Sequence, residues 1–315
     1  MTRTAPQPRA RCACRALLGA TVVLVAVPWM LTAQPPAAQN PSPMVERTRA
    51  HTRRVPGERV LAVDTIAGPD GAPLVVHIPR AVQGRRDVDV VVHFHGAAWL
   101  PLAAVAEALP RAVGASIALG AGSGVYDRAY SDPAVFDTLL AVLARAASRA
   151  AGHDVALRRV TLSGFSAGHG AIRAILREPR HAARVDAVLV LDGMHTSYVP
   201  ERQVLADGGA LDTTNLVALA EFARVATRGE RRMLITHSEI FPGTFASTTE
   251  TADWLLARLG LTRRPVLRWG PGGMQQTSEV RARGLTVLGF AGNSAPDHVD
   301  HLHAMAALLE RLLAR

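Results

Sequence analysis

The chain has 315 residues, 49% hydrophobic and 19% charged, which is the balance of a folded protein large enough for one big α/β domain or two small ones. The formal charge is +9, and its 35 basic residues are all arginine. These arginines are scattered, often beside acids, and aromatics are only 4%, which argues for a solvated surface rather than a nucleic-acid-binding stripe.

The first 33 residues stand apart. "MTRTAPQPRARCACR" is basic and free of acids, and residues 16–33, "ALLGATVVLVAVPWMLTA", form an uncharged apolar run. This is the plan of a secretory signal, with cleavage after Ala33 or Ala38, and the run is also long enough to stay as a single membrane anchor. Either way the basic flank stays inside and the body is exported, to the periplasm or the outside. The four arginines of residues 1–40 leave +5 for the rest of the chain. Residues 34–57 read as a Pro-rich linker. Cys12 and Cys14 both precede the apolar run, so the exported body, 58–315, has no disulfide, cysteine nucleophile or thiolate metal site.

From Arg59 the texture changes. "RVLAVDTI" and "LVVHIP" flank the turn "AGPDGAP" and predict a β-hairpin. "VDVVVHFHG" is apolar on both faces, as a buried parallel strand requires. "LAAVAEALPRAV" is helical, "ASIALGAGSG" is a strand running into a glycine-rich loop, and "DPAVFDTLLAVLARAASRAAG" is a long helix with Pro133 in its first turn and Gly152 at its end. Then follow the strand "RRVTLSGFS", the helix "GHGAIRAILREP", the strand "VDAVLVLDGMH", the helix "TTNLVALAEFARVATRG", the strand "RRMLITHSEI" and the helix "TETADWLLARLG". A last strand, "GLTVLGFAG", precedes one amphipathic helix, "HVDHLHAMAALLERLL". A leading hairpin with repeated strand–helix units predicts one α/β domain, a mostly parallel central sheet with helices on both faces.

Residues 164–168, "GFSAG", fit G-x-S-x-G between an apolar strand and a helix, the setting of a strained nucleophile elbow that presents Ser166. On this motif, the "HFHG" strand end and a histidine after the last strand, the chain resembles the α/β-hydrolase superfamily, and within it the secreted esterase and depolymerase-like members. The resemblance covers the domain from about Arg59 onward. It implies the α/β-hydrolase fold and a serine hydrolase of carboxylic esters that needs no cofactor. It also implies an oxyanion hole made by the N–H of Ala167 and by the loop at Gly96 and Ala97. His93 and His95 alternate with Phe94, which puts both on one face of the strand, orienting that loop by hydrogen bonds.

Chain order Ser, acid, His puts the base after the last strand, where "PDHVDHLHAM" offers His298, His301 and His303. His298 lies at the boundary of loop and helix and is preferred, with His301 the alternative. The acid is Asp192, where an apolar strand ends on a carboxylate before Gly193, or Glu239, at the position the superfamily commonly uses. One helix and a loop containing Tyr198 between Asp192 and Arg232 leave no room for a large lid, so an open site is expected, for a small-molecule or polymeric ester. Two readings compete. His298 and His301, at i and i+3, with His93 and His95, could serve a metal-dependent hydrolase, although the segment lacks H-E-x-x-H. A binding protein could also keep this fold without turnover.

Overall fold

The computed structural model describes residues 60–314, so the export segment and the linker read above lie outside the described residues. The expected hairpin is present: β1 (Val60–Ala67) pairs antiparallel with β2 (Pro73–Pro79). β3 (Asp87–Phe94) leads to α1 (Trp99–Ala108), β4 (Val113–Ile117) to α2 (Ser123–Ala129) and α3 (Pro133–Ala151), and β5 (Ala156–Phe165) to α4 (His169–Arg177) and α5 (Pro179–Arg184). After β6 (Val185–Leu191) come a small ribbon of β7 (Tyr198–Val199) and β8 (Ala210–Leu211), then α6 (Val217–Thr227). The chain continues through β9 (Arg232–His237), α7 (Thr248–Leu259), β10 (Arg264–Trp269), β11 (Gln275–Ala282) and β12 (Leu285–Phe290) to α8 (Ala295–His303) and α9 (Met305–Leu313).

Ten strands form one sheet in the order β1-β2-β4-β3-β5-β6-β9-β12-β11-β10. The six from β4 to β12 run parallel, β2 joins β4 antiparallel, and β11 and β10 close the far edge as antiparallel strands. This order, with β4 and β3 inverted behind an antiparallel hairpin, is the α/β-hydrolase fold. The unbroken apolar runs of the central strands follow from burial on both faces. In β6 and β9, Val188, Val190, Met233 and Ile235 pack in the layer of α3, α4 and α6. Their neighbours Leu189, Leu191 and Leu234 point the other way, onto the layer containing Leu100 of α1, Leu302 of α8 and Leu309 of α9.

The long helix starts and stops where its sequence says. Asp132 accepts the Ala134 N–H at 2.9 Å, Pro133 occupies the first turn, and Gly152 ends the helix in the left-handed conformation at φ 76°. The structure differs from the sequence reading in several places: α2, the β7–β8 ribbon, β10 and β11 are additional elements, the C-terminal helix is broken at Ala304 into α8 and α9, and β3 stops at Phe94 so that His95 leaves the strand. Between Asp192 and β9 the one α-helix among the described residues is α6. Tyr198 is buried there, and its hydroxyl donates to Glu250 at 2.8 Å, tying the ribbon to α7. No helix of the described residues is long and apolar enough to cross a membrane.

Parallel strands joined through helices put every strand-to-helix loop on one rim. Ser166, Asp192, Ser238 and His298 follow β5, β6, β9 and β12, which are adjacent in the sheet.

Candidate active site

β5 ends at Phe165 in extended conformation, and the next residue, Ser166, has φ 48°. A single 3₁₀ turn, Ser166–Gly168, then passes directly into α4. A left-handed conformation costs a residue with a side chain about 1–3 kcal/mol, so the surrounding packing must enforce it. Two close approaches do so. A β-carbon on Gly168 would lie 2.1 Å from the Phe94 carbonyl oxygen, so only glycine lets the start of α4 press on the end of β3. A β-carbon on Gly193 would lie 2.6 Å from the Ser166 carbonyl oxygen, so the chain leaving Asp192 runs against the serine backbone. Ser166, Asp192 at φ 40° and His95 at φ 75° are three of five non-glycine residues with positive φ among the described residues, so backbone strain concentrates at this rim.

His298 belongs to the first turn of α8. The helix begins earlier than the apolar register suggests, because Ser294 and Asp297 form a capping box and Pro296 fits the first turn. The His298 Nδ1–H donates to Asp192 Oδ2 at 2.7 Å. Phe165, the residue before Ser166, packs over a face of the imidazole, with ring centroids 4.5 Å apart and planes tilted by 34°. His298 is thereby held between the acid and the elbow.

Asp192 is 1% exposed, and every group around its carboxylate is a donor. Oδ1 accepts from the Ser238 N–H at 2.9 Å and the Thr248 hydroxyl at 2.6 Å, and Oδ2 accepts from the Ser238 hydroxyl at 2.8 Å besides His298. Burial alone would raise its pKa. The neighbouring His301 and His298 rings and the Thr248 hydroxyl outweigh that and hold the carboxyl well below the usual range.

The other nominated residues sit differently. Glu239 is exposed, and its backbone N–H donates to Gly292 O at 3.1 Å. His301 is buried with Nδ1 2.7 Å from Thr236 Oγ1, the hydroxyl oxygen that also accepts the Asp192 N–H at 3.0 Å. It braces the backbone under the acid, and burial lowers its pKa. The His303 ring meets Trp99 edge-on at 6.4 Å. His298 and His301 therefore engage different partners, and among the described residues no group of three or more His, Cys, Asp or Glu side chains is arranged to hold a metal ion.

His93 is fully buried and neutral, its pKa pushed down to about 3 by desolvation. It accepts from the Ser163 hydroxyl at 3.0 Å and donates from Nε2 to the His95 carbonyl at 2.7 Å, so it orients the loop by a hydrogen bond as expected. His95 does not share its face of the strand. With φ 75° the backbone turns away, and the ring stacks on Phe165 at 6.0 Å while Nδ1 meets the Tyr126 hydroxyl at 2.8 Å. Gly96 follows at φ 106°, where a β-carbon would meet Leu302 at 2.9 Å and Phe165 at 3.9 Å, which keeps this loop beside the elbow.

Several contributors escape sequence inspection: Ser238 and Thr248 on the acid, Thr236 beneath it, Tyr126 behind His95, and His169. Buried His169 spans the carbonyls of Ser166 (Nδ1, 2.9 Å) and His195 (Nε2, 3.1 Å), and as a neutral ring, with its pKa lowered by burial to about 3, it donates to one of them. The signal available for Thr248 was its place just after Ser247, which opens α7 with a capping box.

No family model matches the chain, and no curated protein matches it. Solved structures do. The chain is similar to a Pyrobaculum calidifontis esterase (14% identity, TM-score 0.44, covering 83% of this chain and 87% of that one). It is also similar to the feruloyl esterase module of Clostridium thermocellum, complexed with sinapinate (11% identity, TM-score 0.46, 84% and 96%). A third is an S-formylglutathione hydrolase from Agrobacterium tumefaciens (13% identity, TM-score 0.46, 79% and 93%). These likenesses are distant, and the fold stands on its own strand order and elbow.

Proposed function

We propose that the chain is an exported serine hydrolase that cleaves carboxylic esters through Ser166, His298 and Asp192. The observation that carries this reading is the 2.7 Å hydrogen bond from His298 Nδ1 to a buried, fully solvated-by-donors carboxylate, formed beside a serine held at φ 48°.

The chemistry follows from these positions. His298 donates from Nδ1 to Asp192, so its Nε2 carries the lone pair and can take the proton of Ser166. Ser166 Oγ attacks the ester carbonyl carbon, and negative charge develops on the carbonyl oxygen. The N–H of Ala167, in the 3₁₀ turn ahead of α4, and the N–H groups of Gly96 and Ala97 are the donors nominated for that oxygen. The imidazolium then protonates the leaving alcohol, and an acyl-Ser166 forms. Water attacks the acyl carbon, giving its proton to His298, and Ser166 regains it as the acid leaves. Asp192 keeps its charge throughout and stabilises the transient imidazolium, which suits a carboxyl held well below its ordinary range.

The test is covalent labelling of the folded chain with a fluorophosphonate. The wild type becomes labelled and loses esterase activity, and Ser166→Ala is not labelled. Labelling of the Ser166→Ala variant, or none of the wild type, refutes the reading.

A further inference from the structure

Between Ser238, which donates to Asp192, and Ser247, which caps α7, residues 239–246 read Glu-Ile-Phe-Pro-Gly-Thr-Phe-Ala. Both ends of this loop are pinned to the segments that carry the acid and the histidine. Its first N–H, of Glu239, donates to Gly292 O at 3.1 Å, in the loop that leads to His298. Its last, of Ala246, donates to Thr196 O at 2.8 Å, and Ala246 O accepts from His195 Nδ1 at 3.2 Å, in the loop that follows Asp192. The loop therefore runs along the rim beside the Asp192–His298 pair.

Its side chains divide sharply. Ile240 is buried, whereas Phe241 is 56% and Phe245 38% exposed. Phe245 stands edge-on to His195 at 5.1 Å, and His195 connects through its carbonyl to His169, whose Nδ1 lies on the Ser166 carbonyl. Beside His298, Val299 is also 40% exposed. Pro242 fixes the backbone next to Phe241, so the ring is presented on a stiff segment. Phenyl rings left in water on a loop anchored to both sides of a reactive centre are what an apolar ligand group would cover. The Glu239 side chain is exposed, and His298 Nδ1 is already bonded to Asp192.

We propose that residues 239–246 form the apolar subsite of this centre, with Phe241 and Phe245 receiving the hydrocarbon part of an ester whose carbonyl lies at Ser166. The inference rests on the ester-hydrolase reading and adds the substrate class: esters with an extended aliphatic or aromatic group, bound on an open rim. The hydrocarbon could sit on the acyl or on the alcohol side of the ester, and the two are separable.

Two substrate series decide it with the full chain. One is p-nitrophenyl acetate, butyrate and octanoate; the other is the acetates of ethanol, hexanol and benzyl alcohol. Each methylene withdrawn from water is worth about fourfold in kcat/KM. In the wild type, kcat/KM rises along at least one series, and the responding series identifies the side. In the Phe241→Ser, Phe245→Ser double variant, the ratio of the longest to the shortest ester falls about tenfold or more, mainly through KM, and Phe241→Leu with Phe245→Leu restores most of it. Because the readout is a ratio within one preparation, a loss of folded protein cancels. A wild type with no preference in either series, or a double variant with the wild-type ratio, overturns the subsite while the Ser166 reading stands. Hydrolysis that survives Ser166→Ala overturns both.

Discussion

Asp192→Asn tests the site through its hydrogen-bond arithmetic. All four neighbours of the carboxylate donate: the Ser238 N–H, the Ser238 and Thr248 hydroxyls, and His298 Nδ1–H. An asparagine has one acceptor oxygen and one NH₂. The Ser238 N–H cannot rotate, so the amide oxygen must occupy the Oδ1 position and the NH₂ must face the Ser238 hydroxyl and His298. The hydroxyl can turn and accept. The imidazole can accept only by moving its proton to Nε2, the nitrogen that has to be free to take the Ser166 proton. The expected loss in kcat is about 10,000-fold, or about 5.5 kcal/mol. The hydrogen bond to a charged group supplies about 1.5–3 kcal/mol of this, and the wrong tautomer with an unsupported imidazolium supplies the rest. The assay is steady-state hydrolysis of p-nitrophenyl acetate, with circular dichroism to show that the variant is folded. A folded Asp192→Asn retaining more than about a tenth of the wild-type kcat refutes the reasoning, as does an equal collapse in Glu239→Gln.

His298→Ala is expected to abolish turnover with little change in thermal stability, because its ring lies at the rim, whereas buried His301→Ala lowers the unfolding midpoint by several degrees and leaves measurable turnover. The opposite pattern would assign the base to His301. Burial holds His93, His169 and His237 at about 3 in the folded state, against about 6.5 unfolded, so between those limits the unfolded chain binds the extra protons and stability is lost as pH falls, by up to about 1.4 kcal/mol per unit for each ring. The thermal midpoint should be level from pH 7 to 8 and drop steeply below 6; a midpoint unchanged down to pH 4 would contradict neutral burial of these rings.

The legible parts of the molecule were those encoded by local pattern. The apolar runs of β3, β5, β6 and β9, the cap and stop of α3, and the glycines around Ser166 each have a short-range physical signature. β10 and β11 had none: β10 is an edge strand, which carries charge instead of alternation, and "RPVLRW" begins on an arginine and a proline, while β11, "QQTSEVRA", is polar, with its buried Glu279 paired to Arg264 and Arg268 of β10. The break at Ala304 likewise has no proline or glycine to announce it. His298 and Asp192 could be preferred on their local setting, but sequence alone left His301 and Glu239 beside them, since the spatial relation of the four depends on strand order. Sequence says that β9 follows β6, but not that β9 lies between β6 and β12, nor that Ser238 and Thr248 turn their donors toward Asp192 rather than toward Glu239.

That order explains how an acid after β6 reaches His298. Asp192 follows β6 and His298 follows β12, two strands away, so with neighbouring strands about 4.8 Å apart the pair must meet across the end of β9. A large side chain at that end would stand between them. β9 ends on His237, whose buried ring is engaged by Thr249 Oγ1 at 2.9 Å, and the residues on either side of it, Thr236 and Ser238, put hydroxyls under the acid: Thr236 Oγ1 accepts the Asp192 N–H, and Ser238 donates twice to its carboxylate. Small hydroxyl residues thus clear the path and also satisfy a charge that burial would otherwise neutralise. An acid placed after β9 would neighbour His298 directly, but it would commit the loop that follows β9 to holding it. With the acid one strand further back, residues 239–246 need only be anchored at their two ends, and Phe241 and Phe245 are left facing solvent at the edge of the site.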